Sequence, residues 1–147
     1  MKLHAKNAIK IMLGLLSMVI LFHILIIIKI IPYSVAWGGR LQTDEQMYMF
    51  ETISIFINLF LGFILMMKGS YINYQFKSKT LNIMLWIFFT LFIINTIGNI
   101  FAQSTFEKMF ALLTLLLAYL VWVILRTAQF PDKHSAATMH PRNKIIK

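Results

Sequence analysis

Four stretches of the chain carry no Asp, Glu, Lys or Arg over sixteen or more residues: 11–28, 52–67, 80–106 and 109–125. A bilayer core of about 30 Å takes about 20 helical residues to cross, so runs of this length and purity restrict the chain to a membrane-spanning helical fold. Composition agrees. The 147 residues are 59% hydrophobic and 13% charged, with a mean hydropathy of +0.75, whereas water-soluble domains carry about 25% charged and 45–50% apolar residues. A globule this small cannot hide so much apolar surface. The pattern predicts an all-α integral membrane four-helix bundle, one domain over residues 1–126, with spans at about 11–31, 48–67, 81–102 and 107–125.

Segment ends carry helix signals. Thr43-Asp44-Glu45-Gln46 has the spacing of a capping box and places the start of the second helix ahead of its apolar run. Ser104-Thr105-Phe106-Glu107 repeats the spacing before the fourth. Lys29 near the end of the first span is compatible with a helix reaching Ile31, because a lysine there can snorkel its amine to the headgroups. Lys2, Lys6 and Lys10 ahead of an apolar run, with Ser34-Val35-Ala36 beyond it, have the form of a signal peptide. The run exceeds the 7–15 residues or so of a signal h-region, so a retained first span is expected.

Charge placement orients the bundle. With four spans, the amino terminus, the central connection and the carboxyl terminus share one side, which holds Lys2, Lys6, Lys10, Lys68, Lys77, Lys79, Arg126, Lys133, Arg142, Lys144 and Lys147. Lys29, Arg40 and Lys108 fall on the other. Short cytoplasmic segments accumulate Lys and Arg, so an N-in/C-in arrangement in a plasma membrane is expected. The formal charge of +9 is thus distributed around apolar runs and does not form the clustered basic face of a nucleic-acid binder. The basic connection 68–79 is expected to touch anionic headgroups, at about 1 kcal/mol per basic residue near the surface. Residues 127–147 lack an apolar period and are expected to be a disordered cytoplasmic tail, with His134 and His140 solvated.

Polar residues within the spans are the candidates for function, since each must find a partner in the bundle. Glu51, Ser54, Asn58 and Gly62 share one face of the second helix, and Asn95, Gly98, Asn99 and Ala102 one face of the third. His23 lies in the first span; Ala111, Thr114 and Ala118 lie in the fourth. Counted at ~1.5 Å per residue, His23, Ser54 and Asn95 sit about 10 Å below the outer surface. An outward-facing polar pocket around Glu51 follows as an expectation, with Arg40, His23, Asn95 and Asn99 as ligand-binding residues. Asn58, Gly62, Gly98, Ala111, Thr114 and Ala118 fit the alternative of ordinary interhelical contacts, where small and hydroxyl side chains are common.

The chain lacks cysteine, which removes disulfides, thiol catalysis and Cys-ligated metal. It has no HExxH, GxSxG, phosphate-cradling or dinucleotide motif. No second buried acid is expected beside Glu51, and no catalytic residue, metal or cofactor is assigned. The expected activity is association with lipid or with a protein partner, including a second copy, without catalysis. The alternative is binding or transport of a small polar or amphiphilic ligand.

Ile31-Pro32-Tyr33, Trp37-Gly38-Gly39-Arg40-Leu41, Phe50-Glu51 and Asn95-Thr96-Ile97-Gly98-Asn99 resemble segments of small four-span bacterial membrane proteins to which no activity is assigned. The architecture also resembles, more loosely, DoxX-like and sterol-isomerase-like proteins. The resemblance covers about residues 24–125 and implies a bacterial plasma-membrane protein; it brings no reaction or ligand. The sterol-isomerase-like group uses paired acids, which this sequence is not expected to supply.

Overall fold

The computed structural model describes residues 4–35, 37, 41–73, 76–102 and 105–127. It contains four long helices, α1 (Ala5–Ile27), α2 (Asp44–Lys68), α3 (Ser78–Ile100) and α4 (Thr105–Thr127), and a short 3-10 turn at Tyr33–Val35. There is no strand among the described residues. Each helix is long and apolar enough to cross a membrane, and 23 to 25 residues give a length of about 35 Å. The chain is therefore a multi-pass membrane bundle. The expected tail lies outside the described residues from position 128 onward.

Consecutive helices run antiparallel: His23 near the end of α1 meets Glu51 near the start of α2, Lys68 at the end of α2 meets Asn82 near the start of α3, and Thr96 of α3 meets Thr114 of α4. Helix α1 packs on α2 and α4, and α3 packs on α4 and α2, closing a ring of four. The two ends of the bundle differ. The half nearer the amino terminus holds the main apolar core, built from Ile9, Met12, Leu16, Leu61, Ile64, Leu65, Leu81, Leu85, Leu120 and Ile124. At the other end a smaller cluster of Ile26, Leu41 and Met47 lies against Phe22, Ile31, Tyr33 and Phe50. This second end also collects the buried polar residues Glu51, Ser54, Thr96, Glu107 and Thr114, leaving Lys68 alone among those named at the opposite end.

Helix boundaries differ from the expected ones for identifiable reasons. Helix α1 starts before its apolar run, because Ala5, Ala8 and Ile9 are buried, and it stops at Ile27 without continuing past Lys29. Lys29 adopts a left-handed φ of 59°, its N–H bonds the Ile26 carbonyl, and the Ile30 N–H bonds that of Leu25. These two bonds are a Schellman stop, which satisfies the last carbonyls and ends the helix. Helix α2 stops the same way, with Ser70 N–H on Met67 and Tyr71 N–H on Met66. The left-handed residue there is Ser70, φ 59°, while the adjacent Gly69 is at φ −78°. At the start of α2, Thr43 Oγ1 accepts from the Gln46 N–H at 3.2 Å. Gln46 Oε1 accepts from the N–H of Gln42 at 3.0 Å, one residue earlier than the reciprocal bond of a capping box.

Candidate functional site

Helices α1 and α2 bring His23 and Glu51 together. Glu51 is completely buried. His23 Nδ1–H donates to Glu51 Oε2, and the indole Nε1–H of Trp37 donates to Oε1 at 2.8 Å. The first contact is an ion pair when the imidazole is protonated and a hydrogen bond when it is neutral. Trp37 reaches the carboxylate from the connection between α1 and α2. It is held there by its ring, whose centroid is 5.0 Å from that of Phe50, and its backbone takes a left-handed φ of 59°. A bulky residue stays in that region only when its surroundings hold it. Both carboxylate oxygens thus accept from donors of the same chain, and the assembly ties α1, the connection and α2 into one unit.

The other predicted residues separate. Asn95 is exposed on α3 and Asn99 is half-buried; no hydrogen bond joins either side chain to Glu51 among the described residues. The buried position on this part of α3 is Thr96, one residue and about 100° around the helix from Asn95. Its hydroxyl meets that of Thr114 on α4 at 2.9 Å, and each hydroxyl also reaches a carbonyl of its own helix. Arg40 lies outside the described residues. Ala111, Thr114 and Ala118 lie on the buried side of α4 together with Leu117 and Val121, so they serve helix contact.

Two expectations are corrected. Glu51 is not the only buried acid: Glu107, in the first turn of α4, is 5% exposed. It continues the inward face of Ala111 and Thr114 at four- and three-residue steps, a periodicity visible in the sequence once those two are placed inside. Lys68 does not reach outward to headgroups. It is 3% exposed, and its Nζ donates to Asn82 Oδ1 at 2.8 Å and approaches Ser78 Oγ at 3.5 Å. Lys77 and Lys79 are the exposed bases of that connection. Trp37 is the site residue that sequence reasoning missed; an indole N–H needs a partner when shielded from water, but nothing in the loop's residues points to Glu51.

At the surface beside this site, Lys29 Nζ donates to Asp44 Oδ2 at 2.6 Å. That hydrogen bond holds the ammonium above its ordinary pKa; both partners are half exposed, so the pair adds little to stability. Among the described residues, no three His, Asp or Glu side chains gather closely enough to hold a metal ion.

No family model, curated protein or solved structure matches this chain.

Proposed function

We propose that this is a non-catalytic multi-pass membrane protein that acts by association with lipid or protein partners in a bacterial plasma membrane, with both termini in the cytoplasm. The closure of Glu51 carries the proposal. An intramembrane acid is the natural candidate for ligand chemistry, yet here it is fully buried and its two oxygens accept from His23 and Trp37. A ligand would have to separate those donors from it first. Meanwhile the membrane-facing surface is large and apolar: between 17% and 44% of the most apolar window of each helix is buried, so most of each span is available for contact with lipid or other helices.

Orientation rests on the eleven Lys and Arg that share the side of the termini. Single cysteines at Gln42 and Asn73, both exposed and at opposite ends of the bundle, test it. Intact cells treated with an impermeant maleimide should label Gln42→Cys, and Asn73→Cys only after permeabilisation. The reverse pattern would invert the topology.

Two observations favour ligand binding instead: the same end of the bundle holds a second buried acid, Glu107, and the Trp37 that closes Glu51 is itself 40% exposed. Native mass spectrometry of detergent-extracted protein separates the two readings. Association predicts that co-purifying lipid or protein is retained in Glu51→Gln. A small polar molecule present in the wild type and lost from folded Glu51→Gln would establish the pocket.

A further inference from the structure

On the outer surface between α1 and α2 runs a groove of about 330 Å³, lined by residues that include Leu13, Ser17, Ile20, Asn58, Gly62 and Phe63. Asn58 lies fourteen residues from the Asp44 end of α2 and ten from its Lys68 end, roughly 21 and 15 Å along the axis. Ser17 is equally central in α1. The polar part of the groove is therefore at mid-bilayer depth, where neither water nor headgroups reach.

Hydrogen-bond arithmetic at Asn58 is incomplete within one chain. A carboxamide offers two N–H donors and an oxygen that accepts. Asn58 Nδ2 donates once, to the Ser54 carbonyl of its own helix at 2.7 Å. Its second N–H and its Oδ1 make no bond among the described residues, and the side chain is only half-buried. Ser17 donates its one hydroxyl proton to the Leu13 carbonyl at 2.9 Å and so has none for Asn58 Oδ1, and no hydrogen bond joins the two side chains among the described residues. Lipid tails have no donor or acceptor, so a half-satisfied amide at this depth calls for a polar group on another protein helix.

We infer that the α1–α2 groove is the interface of a homodimer, in which Asn58 pairs with its counterpart in a second copy. A two-fold axis along the membrane normal preserves depth, so each residue near the axis meets itself. A primary amide is self-complementary: the N–H and the oxygen left over on one copy match the oxygen and N–H left over on the other. No other polar side chain at mid-depth needs to be recruited. Gly62, one turn from Asn58, puts no side chain into the groove, so a second helix can approach its backbone closely; a Cβ there would meet only Leu13 Cδ2, at 4.0 Å. Close approach of backbones at small residues is how helices associate in lipid, where apolar surface alone provides no drive. The inference rests on the association reading and names the partner.

The chain contains no native cysteine, so single substitutions report without background. Oxidation of native membranes should give disulfide-linked dimers from Leu59→Cys or Gly62→Cys, and none from Ile87→Cys or Leu112→Cys, which are exposed on α3 and α4. In reconstituted vesicles, dimerisation followed by energy transfer on lipid dilution should weaken about 3- to 20-fold in Asn58→Leu. Helical content of that variant should be unchanged, since Asn58 makes no bond to another helix of its own chain. Equal cross-linking at Ile87, cross-linking of Gly62→Cys to a different protein, or undiminished dimerisation of Asn58→Leu would each overturn the homodimer. A strictly monomeric protein that still carries co-purified lipid would refute this interface and leave the broader association reading standing.

Discussion

Glu51→Leu is expected to destabilise the bundle by about 3 kcal/mol, while the double variant Glu51→Leu/His23→Leu recovers much of that loss. Each hydrogen bond to a buried charged group contributes about 1.5–3 kcal/mol, and removing the acceptor leaves the donors facing hydrocarbon. Two donors are orphaned here, but not equally. Trp37 is 40% exposed and can turn its N–H to water, whereas the His23 side chain is 15% exposed and has less freedom to escape. The cost therefore concentrates on His23. Replacing both members of a buried pair by apolar residues of similar volume is often neutral, because desolvation of the pair disappears along with its attraction. Unfolding in mixed micelles, followed by circular dichroism across the four members of the cycle, measures the coupling. Strict additivity would show that His23 and Glu51 do not act as a unit, and the description of the Glu51 end would fall with it.

The contrast between this pair and Asn95 shows where sequence patterns are informative in a membrane chain. Acid and imidazole are rare within apolar runs, so Glu51 and His23 are conspicuous, and the antiparallel crossing of two adjacent spans brings equal depths together. The rotation of a helix about its own axis is another matter. Lipid outside and side chains inside are both apolar, so apolar residues occur on every side of α3 and its few polar ones do not tell the interior from the exterior. Asn95 and Thr96 differ by one position; Thr96 faces the core and Asn95 faces out. Helix α4 is easier, since Glu107, Ala111, Thr114 and Ala118 combine small or polar types at consistent steps, and all are buried. The stops of α1 and α2 are hidden for a similar reason. Lys29 and Ser70 end them in left-handed conformations that are commonly supplied by glycine, while Gly69 beside Ser70 has a negative φ.

That same ambiguity yields the second large effect. Leu85 and Ile87 on α3 are nearly indistinguishable by composition, but Leu85 is 0% exposed and Ile87 is 55% exposed. In water, truncating a buried leucine to alanine costs about 2–5 kcal/mol, part from transfer out of solvent and part from the cavity left behind. In a bilayer or micelle the transfer part drops out, since an unfolded but inserted helix keeps the side chain in hydrocarbon. What remains is lost contact around the void, so Leu85→Ala should cost about 1–3 kcal/mol. Ile87→Ala should cost less than about 0.5 kcal/mol, because lipid tails refill the space at once. Leu81 and Phe88, one turn to either side on the same face of α3, belong to the same buried cluster as Leu85 and are held by their own packing, so they cannot fill the void. The measurement is the same unfolding titration, with the two variants compared at matched detergent. Equal losses at both positions would place α3 at a different rotation, and would remove the basis for putting Thr96 rather than Asn95 against Thr114.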